Sequence, residues 1–178
     1  HGDVFVDQIL AVETLSFCLP DNWTIYIKEH PMQWLRGGIG FSSSRYKGYY
    51  QRLFEIPGVK IIPADTNSYP LIDRSRAVAT ITGSAAWEAV LREKPAIIFG
   101  HPWFQDLPGL LKAHDVDSCK EAVQKIQDGF NISQNETLKY LASLGRVSIR
   151  GFYSPISGKY SGLTKQESMR NIAKEIIR

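Results

Sequence analysis

Four short runs rich in Ile, Val and Ala recur along the chain, and each is followed by a stretch with helical spacing. This alternation constrains the fold more than any other feature. The runs are residues 23–28 ("WTIYIK"), 59–62 ("VKII"), 77–82 ("AVATIT") and 95–100 ("PAIIFG"). They are short, apolar and bounded by Pro, Gly or Asn, as strands buried on both faces are. Residues 113–118 ("AHDVDS") are a candidate fifth strand. Between them lie predicted helices over 4–18, 46–55, 68–75, 84–93, 119–128, 134–145 and 164–177. The first carries Val6, Ile9, Leu10, Val12 and Leu15 on an amphipathic face. The third has Ser68 as its expected N-cap and Pro70 in its first turn. Residues 34–45 and 150–162 are rich in Gly and Ser or Tyr and read as loops. Strands alternating with helices predict an α/β fold: a doubly wound, mostly parallel sheet with helices on both faces.

The chain has 178 residues, 43% hydrophobic and 22% charged, enough for one ordinary domain and too apolar for a disordered segment. Residues 1–178 are therefore read as a single domain. The net charge of +3 comes from scattered basic residues, which argues against a nucleic-acid surface and suits a small anionic ligand. Cys18 and Cys119 are far apart and read as two reduced thiols, not a disulfide scaffold. No apolar run approaches the ~20 residues of a membrane span. His101 and His114 lack partners at ligand spacing, so no metal site is expected. Asp115 and Asp117 would alternate along a strand and read as a solvated strand end.

In open parallel sheets, ligands bind at the carboxyl ends of the strands. Residues 25–31, "IYIKEHP", place Lys28, His30 and Pro31 at such an end. A second end is "TITGSAAWEAV", where a strand stops at Thr82, Gly83 and Ser84 turn the chain, and small residues open a helix. Free N–H groups and a helix dipole at that point favour an anion. Glu88 lies one turn beyond Ser84, placed to accept from a sugar hydroxyl. The plainer alternative makes Ser84 an N-cap and Glu88 an ion-pair partner of Arg92 at i+4. The turn is neither a Walker loop nor a G-x-G-x-x-G fingerprint. A third polar end, "ADTNSYPLI", follows residue 62 and carries Asn67 and Ser68.

Taken in order, "KEHP", "IPGVKIIPADTNSYPLIDRS" and "AVATITGSAAWEAVLREKPAIIFG" resemble the bacterial capsule and surface polysaccharide synthesis family. That family is similar to the C-terminal, nucleotide-binding half of GT-B glycosyltransferases. The resemblance implies a single nucleotide-sugar-binding domain, a fragment of a longer two-domain enzyme whose N-terminal half takes the glycan acceptor. By matching position, Lys28, His30 and Pro31 would contact the nucleotide. Asn67 and Ser68 would face the base or ribose. Thr82, Gly83 and Ser84 would hold the donor phosphates, with Glu88 behind them. No catalytic residue can be assigned. No cofactor is implied, since the nucleotide-sugar is a substrate, with a CMP-sugar favoured. The resemblance further implies a cytoplasmic enzyme, with peripheral association of the full-length protein at the inner face of the membrane. Trp103 and Phe104 follow "IIFG" where relatives often carry an aromatic residue or tyrosine. The alternatives are an enzyme like a nucleotide-sugar 2-epimerase, or a non-catalytic binding module of the same fold.

Overall fold

The computed structural model describes residues 2–30, 45–152 and 155–177. They fall into two compact units, His1–Thr137 and Leu138–Arg178.

Among the described residues, the strands all lie in the first unit. β1 (Ile25–Lys28) and β2 (Val59–Ile62) pair in parallel, from Ile25 opposite Val59 to Lys28 opposite Ile62. β3 (Val78–Thr80), β4 (Ala96–Ile98) and β5 (Leu110–Lys112) form a second parallel sheet in that order. Parallel neighbours need crossovers; helices supply those into β2 and β4, a third helix links the two sheets, and the connection from β4 to β5 contains no helix. α2 (Tyr49–Glu55) leads into β2, α3 (Ser68–Arg74) into β3, and α4 (Ala85–Val90) into β4. The architecture is α/β and Rossmann-like, as the alternation predicts. β4 is buried at every residue, as a central parallel strand must be.

α1 (Gln8–Cys18) was expected to be amphipathic, yet it packs on two sides. Ala11 and Leu15 join a core with Phe5, Ile97, Phe99, Leu111 and Val123. Ile9 and Val12 join another with Tyr49, Leu53, Ile27 and Ile61. One helix thereby serves the cores of both sheets. A third core sets Ile72 of α3 and Ala86 and Ala89 of α4 against Ala96, Ile98 and Phe104. Ala86 and Ala89 are fully buried, so their small size lets α4 lie close on β4.

Three expectations about elements are corrected. The fifth strand is residues 110–112, not 113–118. The Asp115 carboxylate accepts the Ser118 amide at 2.8 Å and caps α5 (Val116–Gln127), so "DVD" opens a helix and the Leu110–Leu111 pair makes the strand. The N-cap of α3 is Asn67, whose side chain accepts the Tyr69 amide at 3.1 Å; Ser68 is the first helical residue. Within the expected loop 150–162, residues Pro155–Ser161 form a helix, α7, with proline at its first position. The expected loop 34–45 lies outside the described residues apart from Arg45.

α5 packs on α1 and brings the two cysteines into one core. Both are free thiols. Cys18 donates to the Val116 carbonyl at 3.5 Å, one turn before the buried Cys119. Burial, then the neighbouring Cys18, pushes the Cys119 thiol well above the usual cysteine range.

α6 (Gln134–Val147) crosses the boundary between the units. The second unit ends in α8 (Lys165–Ile176). Thr164 and Glu167 form a capping box at its start. The buried Ser168 hydroxyl accepts the Phe152 amide at 2.8 Å and donates to the Phe152 carbonyl at 3.1 Å, tying α8 to the chain before α7. No helix among the described residues is long and apolar enough to cross a membrane.

Candidate functional site

Residues at the end of β1 divide sharply by burial. Lys28 is half-buried as the last residue of the strand, and His30 is exposed two residues on. Pro31 lies outside the described residues. Between Lys28 and His30 stands Glu29, only 8% exposed. An isolated carboxylate could not stay there ionised without a partner. Arg45 supplies one, with Nε 3.0 Å from Oε1 and Nη2 2.9 Å from Oε2. This fork is the geometry that makes an Arg–carboxylate pair strong. The same guanidinium donates to Gln8 Oε1 at 2.8 Å and stacks over the Tyr49 ring at 4.4 Å. Tyr50 adds a long contact to Glu29 at 3.5 Å.

The electrostatics of this cluster follow from burial and charge. Burial disfavours the Arg45 cation, but the hydrogen bond and charge of Glu29 outweigh it and raise its pKa above the ordinary arginine value. Burial pushes the Tyr49 hydroxyl up to about 12, against the pull of the Arg45 cation. Burial and then the Glu29 charge raise Tyr50 as well. A cavity of about 550 Å³ opens beside the cluster, between α2 and the end of β2. Glu29, Tyr50, Phe54, Ile61, Ile62 and Asp65 line it. Glu29 and Arg45 escaped the sequence reading. Their sixteen-residue separation has no local signature, and Glu29 was hidden between two residues that looked more functional.

A second cluster stands at the end of β3. Thr82, Gly83 and Ser84 are exposed and turn the chain into α4. The Gly83 amide donates to Thr80 Oγ1 at 3.1 Å, and a Cβ on Gly83 would sit 2.7 Å from that oxygen. Glycine is therefore required here by the close approach of Thr80, and its N–H is already engaged. Ser84 is in the helical region and makes no capping bond. Its hydroxyl instead donates to Glu88 Oε1 at 3.1 Å. The plainer alternative also fails, because Arg92 pairs with Asp73 of α3 at 3.0 Å and covers the Tyr69 ring. Ser84 and Glu88 thus form one exposed hydroxyl–carboxylate pair.

The predicted residues form three groups. Lys28 and His30 stand on the β1–β2 sheet, and Thr82, Gly83, Ser84 and Glu88 on the β3–β4–β5 sheet. Asn67 and Ser68 start α3, and the Asn67 oxygen is occupied as the cap. No group of three or more His, Cys, Asp or Glu among the described residues is arranged to hold a metal ion.

No curated protein and no solved structure matches the chain. A family model described as "Capsule polysaccharide biosynthesis protein" matches residues 5–145, a span that holds both clusters and the five strands of the described residues. That span is well over half of the sequence, and the chain belongs to the capsule polysaccharide biosynthesis protein family.

Proposed function

We propose that the chain is the donor-binding domain of a glycosyltransferase of capsular or surface polysaccharide synthesis, of GT-B type, with a CMP-sugar as its favoured donor. The observation that carries this reading is the exposed hydroxyl-bearing turn, Thr82–Gly83–Ser84, at the carboxyl end of a parallel strand in a capsule-family chain. Thr82 and Ser84 would hydrogen-bond the donor phosphate. Glu88, hydrogen-bonded by Ser84, would accept from a sugar hydroxyl. Lys28 and His30 would meet the nucleotide from the end of β1, and Asn67 and Ser68 would border its base or ribose. Polar groups fixed before the reaction lower the barrier by stabilising charge that develops on the leaving phosphate. The acceptor glycan would be held by an N-terminal half of the whole enzyme, peripheral at the inner face of the membrane.

Calorimetric titration with CMP, CDP, UDP and GDP, with and without magnesium, tests the reading. Selective binding of a cytidine nucleotide without metal is expected. His30→Ala and Ser84→Ala should each weaken it by about tenfold, the loss of one charge-assisted hydrogen bond. If nucleotide binds and neither substitution weakens it, the site assignment is wrong. Binding of no nucleotide, by this chain and by the full-length protein alike, would mean a fold kept without this chemistry.

A further inference from the structure

Two histidines come together at the end of the three-stranded sheet. The Gly100 amide bonds the Ile81 carbonyl at 3.0 Å, so His101 leaves β4 next to Thr82. The Ala113 amide bonds the Ile98 carbonyl at 2.9 Å, so His114 leaves β5 beside it. The imidazoles stack with centroids 5.2 Å apart and planes 19° from parallel. His101 Nε2 lies 2.9 Å from Asp3 Oδ2, and Nδ1 lies 3.2 Å from Gln105 Oε1. Asp3 belongs to a short 3-10 turn, Asp3–Val6, anchored by Phe5, whose ring meets Phe99 at 4.9 Å. Asp3 itself is held out of that anchor. Its side chain is 71% exposed and its φ of 44° is a left-handed value unusual outside glycine.

We propose that His101 and His114 bind a phosphate group of the nucleotide, and that the Asp3 carboxylate is a resident stand-in anion which the phosphate displaces. The proposal rests on the donor-domain reading above. Three observations lead to it. The Thr82–Ser84 turn has no basic side chain of its own, and its Gly83 amide is engaged. The imidazoles come from the two adjacent strands of the same sheet, on the edge where open α/β sheets bind ligands. A carboxylate already sits at hydrogen-bond distance from His101, in an exposed pair of the kind that contributes little and exchanges readily. A phosphate brings more charge and more acceptor oxygens than the carboxylate it replaces. Two other charged side chains nearby have partners of their own. Lys112 pairs with Asp106 at 2.9 Å, and Asp115 is engaged by Ser118.

The test is imidazole NMR on the whole chain, titrated first with inorganic phosphate and then with CMP. His101→Asn and His114→Asn assign the signals. All the substituted side chains are exposed, and unchanged unfolding midpoints verify the fold. The ring signals of both histidines should move together along one saturable curve. Asp3→Asn should tighten phosphate by about threefold to tenfold, and His101→Asn should weaken it by about tenfold. The proposal is overturned if neither ligand moves the two imidazoles, or if Asp3→Asn leaves phosphate affinity unchanged. CMP binding with both imidazoles unmoved would sink the proposal and leave the donor reading standing. Phosphate moving both imidazoles, with CMP binding no tighter than phosphate, would do the reverse.

Discussion

Replacing Glu29 by glutamine leaves shape and size nearly unchanged and removes one charge from a buried pair. The Arg45 guanidinium would remain, with its side chain only 14% exposed. One arm of the fork would then face an amide that donates where the carboxylate accepted. Removing one partner of a buried ion pair destabilises by about 3–5 kcal/mol, mostly through the uncompensated charge. Arg45 keeps the Gln8 bond at 2.8 Å and the Tyr49 stack, which places Glu29→Gln near the lower end, at about 3 kcal/mol. That is about a hundredfold in the folding equilibrium. Arg45→Met should be similar, because it strands the Glu29 carboxylate. The pair Glu29→Met with Arg45→Met should be far milder, within about 1 kcal/mol of wild type, since no unpaired charge is left. Urea unfolding followed by circular dichroism reads all four proteins, with the midpoint moving and the slope constant. A double variant no more stable than either single would refute the reasoning. So would a Glu29→Gln protein within about 0.5 kcal/mol of wild type, the ordinary scatter of surface substitutions.

Two further outcomes follow from local geometry. The hydroxyl and then the amide of Ser118 hold the Asp115 carboxyl below its ordinary 3.8. Its capping contribution is therefore present above pH 3.8 and lost as pH falls through the lower folded value. Asp115→Asn, which still caps, should leave neutral stability almost unchanged and flatten the acid limb of a melting-temperature profile; an unaltered acid limb would exclude this carboxylate as a contributor. Gly83→Ala puts a methyl 2.7 Å from Thr80 Oγ1 and should destabilise by about 1–3 kcal/mol in thermal melts. Adding Thr80→Ala should recover part of that loss, and no recovery would mean the obstruction lies elsewhere.

Much of the fold was legible because its cause is local. "VKII" is a strand at the predicted residues, since a β-branched quartet between turns has few other uses. The terminal helix lies within the predicted 164–177, and the structure adds a Thr164–Glu167 capping box at its start. β5 was misplaced because its apolar signal is only three residues long and the adjoining "AHDVDS" alternates like a strand. The spacing of Asp115 and Ser118 was the better guide, as an acceptor three residues before its donor marks a helix start. The expected amphipathicity of α1 failed for a tertiary reason. A helix wedged against two cores needs apolar residues on two sides, and sequence alone does not say how many neighbours a helix has.

The site was legible in outline for the same reason and incomplete for the opposite one. Thr82, Gly83 and Ser84 adjoin in the chain, so a turn reveals them together. Glu29 with Arg45, and His101 with His114, meet only after the chain has folded. Parallel pairing explains the second case. It aligns Ile98 with Lys112, so residues a few positions beyond each strand end emerge side by side although twelve residues of chain lie between the two histidines. Metal-ligand spacing within one segment was the wrong test for such a pair, because the partner distance is set by the crossover length and not by a helical or extended repeat. In a parallel sheet, the better question is which polar residues fall within the first three positions after each strand. Applied here, it groups Glu29 and His30 after β1, Thr82 after β3, His101 after β4 and His114 after β5. These residues include the one buried carboxylate among the described residues and the stacked imidazole pair.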